Sequence, residues 1–233
     1  MSSLLLLGFM IGMRHALDAD HLAAVAAITT QQNNSIRSSI RHGLVWGLGH
    51  TITLFLFGSV IIWMDTVVPE KLTWFLQIGV GLMLIALGLD VLRRVIRDRI
   101  HYHIHRHNHS NAHIHAHSHQ AEPVHELSEH DHSHDHHFPV RTLMIGLMHG
   151  MAGSAALILL TMETVDTLWL GLWYMLLFGI GSMLGMAILS IIIAIPLKAS
   201  AKGLTWMHNG LQAMIGLLTT GLGFSIVYQL GQV

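Results

Sequence analysis

Long apolar runs separated by short polar stretches set the pattern of this chain. A helix needs roughly 20 mostly apolar residues to cross a bilayer core. Six runs meet that length: Ser2–Gln31, Leu44–Met64, Leu72–Leu92, Val140–Thr161, Leu168–Leu197 and Leu204–Leu230. The pattern predicts an all-α, polytopic membrane protein with about six transmembrane helices. The first run has neither the basic start nor the small-residue cleavage site of a leader, and it continues through charged residues into a second apolar stretch, so it is expected to be a mature segment.

Six spans fix which connections share a side, and the basic residues then orient them. Connections after the first, third and fifth spans hold Arg37, Arg41, Arg93, Arg94, Arg97, Arg99, Arg106, Arg141, Lys198 and Lys202; the other side holds only Lys71, beside Asp65, Glu70, Glu163 and Asp166. The bias places the long connection between spans three and four in the cytoplasm and both termini outside, in the inner membrane of a bacterial or archaeal cell.

The halves resemble each other. Gly12-Met-Arg-His15 lines up with Gly146-Leu-Met-His149, Trp46-Gly-Leu-Gly49 with Phe178-Gly-Ile-Gly181, and Gln77, Gly81 and Gly88 with Gln212, Gly216 and Gly223. Three spans per half is an odd number, so the second half enters the membrane inverted, as in many secondary transporters. The expected division is a three-helix repeat over 1–99, a loop over 100–138 and a second repeat over 139–233.

Composition agrees with the membrane assignment. Of 233 residues, 52% are hydrophobic and 11% charged, where a soluble domain carries about 25% charged residues. A net charge of −1 gives no footprint for nucleic acid. The absence of Cys removes disulfides and thiolate metal sites. No Gly-x-x-x-x-Gly-Lys-Ser/Thr run supplies an ATP motor within the chain.

Span one carries Arg14-His15-Ala-Leu-Asp18-Ala-Asp20-His21 between apolar runs. Ionisable groups near the bilayer centre cost at least about 2.5–3.5 kcal/mol each, so they are paired or functional. Arg14 and Asp18, four apart on one helical face, are expected to balance each other's charge. Asp20 with His15 and His21 then offers two imidazoles and a carboxylate, donors suited to Ni, Co or Zn. On a regular helix these three point in widely separated directions, whereas His15, Asp18 and His21 share a side. Convergence of His15, Asp20 and His21 on one ion requires local unwinding. The competing reading of the cluster is a purely structural ion pair.

The stretch Arg14-His-Ala-Leu-Asp-Ala-Asp-His21-Leu resembles the signature of the nickel/cobalt transporter (NiCoT) family, and Leu48-Gly-His50-Thr resembles that family's next motif. The resemblance implies a secondary permease for Ni²⁺ or Co²⁺, with His15, Asp20 and His21 forming the selectivity site and His50 close by. Family members commonly have eight spans. Here Gly146-Leu-Met-His149-Gly-Met-Ala-Gly-Ser154-Ala is closer to a shorter, urease-accessory-like membrane branch. His149 is a further candidate ligand because it matches His15 in the repeat, Ser154 likewise matching Asp20, although lone His residues in Gly-rich spans are usually hydrogen-bonded packing residues. Gly150 and Gly153 are expected to admit a neighbouring helix. Met148 and Met151, which flank His149, could offer soft contacts but are read, like most of the 14 Met, as packing or lipid-facing side chains, and His42 and His208 need no special role.

Fifteen of the 21 His lie between His101 and His137. The run His101, His103, His105, His107, His109, then His113, His115, His117 and His119, alternates imidazoles with other residues. With few apolar residues to build a core, Ile100–Phe138 is expected to be mobile and to buffer transition metals with little selectivity.

These features point to a transporter of Ni²⁺ or Co²⁺, most simply an importer, with the ion as substrate and no catalytic cofactor. Its partners are the metal ion, the lipid bilayer and, downstream, a metallochaperone or nickel-enzyme maturation protein, with no nucleic acid. The alternatives are an exporter, an intramembrane metallohydrolase, which would need a base and a substrate groove that the sequence does not supply, and a metal-binding accessory protein that moves nothing.

Overall fold

The computed structural model describes residues 2–31, 35–64, 69–98, 101–105, 113–117, 139–151, 167–203 and 205–232. The helices are α1 (Ser2–His15), α2 (Ala19–Thr30), α3 (Ile36–Met64), α4 (Glu70–Asp98), α5 (helical over 140–151, where description stops), α6 (Leu168–Gly203) and α7 (Thr205–Leu230). Four of them, α3, α4, α6 and α7, are long and apolar enough to cross a membrane. The protein is therefore a polytopic helical membrane protein.

Two expectations change. Span one is not continuous: α1 stops at His15 and α2 starts at Ala19. At 1.5 Å per residue, helices of 14 and 12 residues reach only about 21 and 18 Å. The second change lies in the His-rich segment, where β1 (His101–His105) and β2 (His113–His117) form an antiparallel pair. The register sets His101 opposite His117, His103 opposite His115 and His105 opposite His113. Strict alternation of His has the period of two that places every second residue on one face of a strand. The second half of span four, with Gly153 and Ser154, lies outside the described residues.

α1 packs on α6, α3 on α6, and α4 on α7, with α2 set among α4, α6 and α7. Ala24, Val25, Trp46, Leu84 and Met186 are buried at the centre. Large apolar side chains also face outward, among them Leu82, Leu89, Ile192, Leu217 and Phe224, an exterior suited to lipid tails. Trp63, Trp169 and Tyr228 lie exposed near helix ends, where aromatic rings meet the headgroups.

Glycine contacts bring the helix backbones together. A Cβ on Gly12 would fall 2.0 Å from the Phe178 carbonyl oxygen, and one on Gly181 would fall 2.2 Å from that of Phe9. Between α5 and α3, a Cβ on Gly146 would lie 2.2 Å from the Trp46 carbonyl oxygen and one on Gly49 2.5 Å from that of Leu143. Gly81 meets Gly223, and Gly88 meets Gly216, along α4 and α7. Such small-residue seams allow close approach where no hydrophobic effect drives helices together. Hydroxyls bridge others: Thr51 Oγ1 donates to the Gly179 carbonyl (3.0 Å) and Thr219 Oγ1 to that of Ala23 (3.3 Å).

Candidate metal centre

The break in span one builds the centre. After His15 the chain tightens, with Leu17 N–H donating to the Arg14 carbonyl (2.9 Å) and Asp18 N–H to that of His15 (3.1 Å). Asp18 is extended (φ −61°, ψ 147°) and starts α2, its carbonyl accepting from Leu22 N–H at 2.9 Å. An Asp at this position and Asp20 in the first turn both suit the positive end of the helix dipole. The Asp18 carboxylate does not cap the helix. It accepts from His15 Nδ1 at 2.7 Å instead.

That contact corrects the expected Arg14–Asp18 pair. The pair needs a continuous helix to hold residues four apart on one face, and the turn at Ala16–Leu17 removes that register. Arg14 is exposed.

The same turn folds α2 back so that His15 and His21 meet. Their ring centroids are 4.4 Å apart, and His50 from α3 lies 5.4 Å from His15 and 5.1 Å from His21. His149 from α5 stands 4.3 Å from His21 and 6.2 Å from His50. Asp20 joins the two sides: its Oδ1 accepts from His21 Nδ1 (3.0 Å) and its Oδ2 from His149 Nε2 (2.9 Å).

Ionised carboxylates only accept, so the bonded nitrogens carry the protons. The lone pairs of His15 Nε2, His21 Nε2 and His149 Nδ1 are thereby left free, and these atoms are buried without a hydrogen-bond partner, as are both nitrogens of His50. A buried polar atom left unmatched costs about 1–3 kcal/mol, and a set of them calls for an explanation. Donor atoms of His15, His21 and His50 lie within 4.8 Å of one another, and so do those of Asp20, His21 and His149. Neutral imidazoles held by carboxylates on their far nitrogen are the arrangement that orients metal-ligating His. The donors suit a divalent late transition metal.

Of the residues singled out from sequence, His15, Asp18, Asp20, His21, His50 and His149 come together, whereas Arg14 stands outside. His42 bonds Thr142 Oγ1 (2.7 Å), and His208 sits against Ser200, the Leu197 carbonyl and Gln212, as packing residues would. Met148 is exposed. A Cβ on Gly150 would fall 2.4 Å from the His50 carbonyl oxygen, so this glycine admits α3 as expected. Two wall residues escaped notice: Trp46, 5.5 Å from the His21 ring, and Phe178, 5.2 Å from that of His15. Both stood in the repeat alignment, at matching positions, as marks of similarity only.

A family model described as high-affinity nickel-transport protein matches residues 1–228. The urease accessory protein UreH of Bacillus sp. (strain TB-90) is 36% identical over 230 residues, covering 98% of this chain and 92% of the relative. The high-affinity nickel transport protein of Cupriavidus necator is 39% identical over 74 residues, 32% of this chain and 21% of that protein. No solved structure matches. With its signature motifs gathered at one centre and the family model spanning nearly its whole length, the chain belongs to the NicO family of high-affinity nickel-transport proteins, which are transporters and not enzymes.

Proposed function

We propose that the chain is a secondary transporter that brings Ni²⁺ into the cell across the inner membrane, with Co²⁺ as a second substrate. The ion binds His15, His21 and His50, while Asp18 and Asp20 hold the first two rings. The observation that carries this reading is the set of buried imidazole nitrogens without partners, facing one another beside a broken span. Import is favoured by energetics: a divalent cation gains roughly 4.6 kcal/mol on entering down a potential of about 100 mV, negative inside.

Reciprocal contacts support the inverted-repeat architecture. Gly12 against Phe178 and Gly146 against Trp46 exchange under the alignment of the halves, and so do Gly181 against Phe9 and Gly49 against Leu143. On this plan residues 1–99 and 139–233 are the two repeats. The segment 100–138 is a cytoplasmic metal buffer, through His101, His103, His105, His107, His109, His113, His115, His117 and His119. The name of the Bacillus relative favours urease-maturation proteins as recipients of the ion.

Metal flux in sealed vesicles, measured in both directions with competing metals, tests the proposal. Saturable inward Ni²⁺ movement that requires His15, His21 and His50 is expected. Outward movement alone would make the chain an exporter, and binding without flux would make it an accessory protein.

A further inference from the structure

The two donor sets share one ring and differ in everything else. His21 lies almost equally far from His15 and His149, at 4.4 and 4.3 Å between ring centroids. Exposure enters each set through one residue, His15 at 17% in the first and Asp20 at 32% in the second, while His50 and His149 are buried. In the first set the three imidazole lone pairs are free. In the second, Asp20 and His149 already satisfy each other at 2.9 Å, so an ion takes that set only by displacing their hydrogen bond. His21 serves the two sets with different nitrogens: its Nε2 is unpartnered, while its Nδ1 is held by Asp20 at 3.0 Å.

We propose that Asp20, His21 Nδ1 and His149 form a second station, which receives the ion from His15, His21 Nε2 and His50 across the shared His21 ring. This rests on the bundle being the route of the ion. In the transfer the bonds from the metal to His15, His50 and His21 Nε2 break, bonds to Asp20, His21 Nδ1 and His149 Nε2 form, and the protons on those two nitrogens pass to His21 Nε2 and His149 Nδ1 of the same rings. Asp20 gives up its hydrogen bonds to both rings for the metal bond, and the His21 ring need not turn, because each station takes a different nitrogen of it. The stations draw on different helices: His15 ends α1, while His149 belongs to α5. A shift of α5 against α3 along the Gly49–Gly146–Gly150 seam would change the second station without touching His15. His149 is then a residue that sets rate, where His15 and His50 set affinity.

The test uses the full chain in vesicles, with Ni²⁺ flux and equilibrium binding as readouts and Co²⁺ absorption as the spectroscopic probe. The His-rich segment is common to every variant, so differences from the parent report on the bundle. His149→Asn is expected to bind Ni²⁺ as the parent does but to carry it about 10- to 100-fold more slowly at saturation. His50→Asn should weaken binding by about the same factor. Co²⁺ that still binds its bundle should change its spectrum, and adding His149→Asn should remove that species. Equal losses of affinity and saturated rate in His149→Asn would mean a single site, and no change in either would mean a packing residue; each result overturns the second station. If His149→Asn fails to insert, His149→Gln carries the same expectations. Unaltered binding and flux in His15→Ala would instead remove the bundle as the route, a failure distinct from either.

Discussion

Gly12→Ala is a small change with a large expected effect. The added Cβ would stand 2.0 Å from the Phe178 carbonyl oxygen, 2.8 Å from its carbonyl carbon and 2.9 Å from its Cα. All three atoms are backbone, so no rotamer change relieves the clash. Restoring an ordinary 3.4 Å contact requires α1 to retreat from α6 by about 1.4 Å. His15 lies on the same helix one turn on, and its ring sits 5.2 Å from that of Phe178. Metal–imidazole bonds near 2.0–2.1 Å tolerate only about 0.2 Å, so a shift of this size takes His15 out of reach of an ion held by His21 and His50. We expect Ni²⁺ affinity to fall by at least 10–100-fold, the usual cost of disturbing even a ligand's support, and stability to fall by roughly 1–3 kcal/mol from overpacking. Equilibrium Ni²⁺ binding and vesicle uptake on equal amounts of inserted protein, beside thermal unfolding, measure both. Gly79→Ala and Gly210→Ala meet nothing within 4 Å and should be neutral, or stabilising by roughly 0.5–1 kcal/mol. A Gly12→Ala chain with parental Ni²⁺ affinity would refute the coupling of the α1–α6 seam to His15.

Four further outcomes are expected. His21→Ala removes the ring common to both donor sets and should abolish saturable Ni²⁺ uptake in a chain that still inserts. Asp18→Asn weakens the bond that orients His15 and should lower Ni²⁺ affinity by about 10–100-fold, read by titration in detergent. Metal competes with protons for imidazole lone pairs, so affinity should fall as pH drops and His residues protonate, and metal uptake should release protons from any His charged beforehand. A flat or rising affinity on acidification would contradict His ligands. Replacing residues 100–138 by a Gly/Ser linker should reduce total bound Ni²⁺ by several equivalents while leaving the bundle's binding and transport in place; loss of all specific binding would move the principal site into the loop.

The membrane spans were legible because runs of apolar residues leave little choice of solvent. The break was legible only as a requirement: His15, Asp20 and His21 cannot converge on a regular helix, yet no Gly or Pro marks the turn at Ala16–Leu17–Asp18. Helix-permissive residues there made Arg14–Asp18 look like a pair, and the unwound backbone gave Asp18 to His15. The contact between Asp20 and His149 joins residues 129 apart, which no local pattern reports, and it comes from the glycine seams seating α5 on α3. The repeat alignment held part of that information, since Trp46 and Phe178, matched as landmarks, are the walls beside the rings. In the His-rich segment the period-two alternation is itself a strand signal, one that the expectation of a mobile segment without a core did not use.

The seam between α1 and α6 also bears on how the protein is made. α1 leaves the ribosome well before its main packing partner, α6, with residues 168 to 203. At about 5–20 residues per second, roughly 10–40 s of synthesis separate the two. Through that interval His15, Asp18 and Asp20 wait in a segment whose halves are each too short to cross the bilayer. Secure seating of the segment must follow translation of α6, and the centre is then completed late, when the last third of the chain closes over the first.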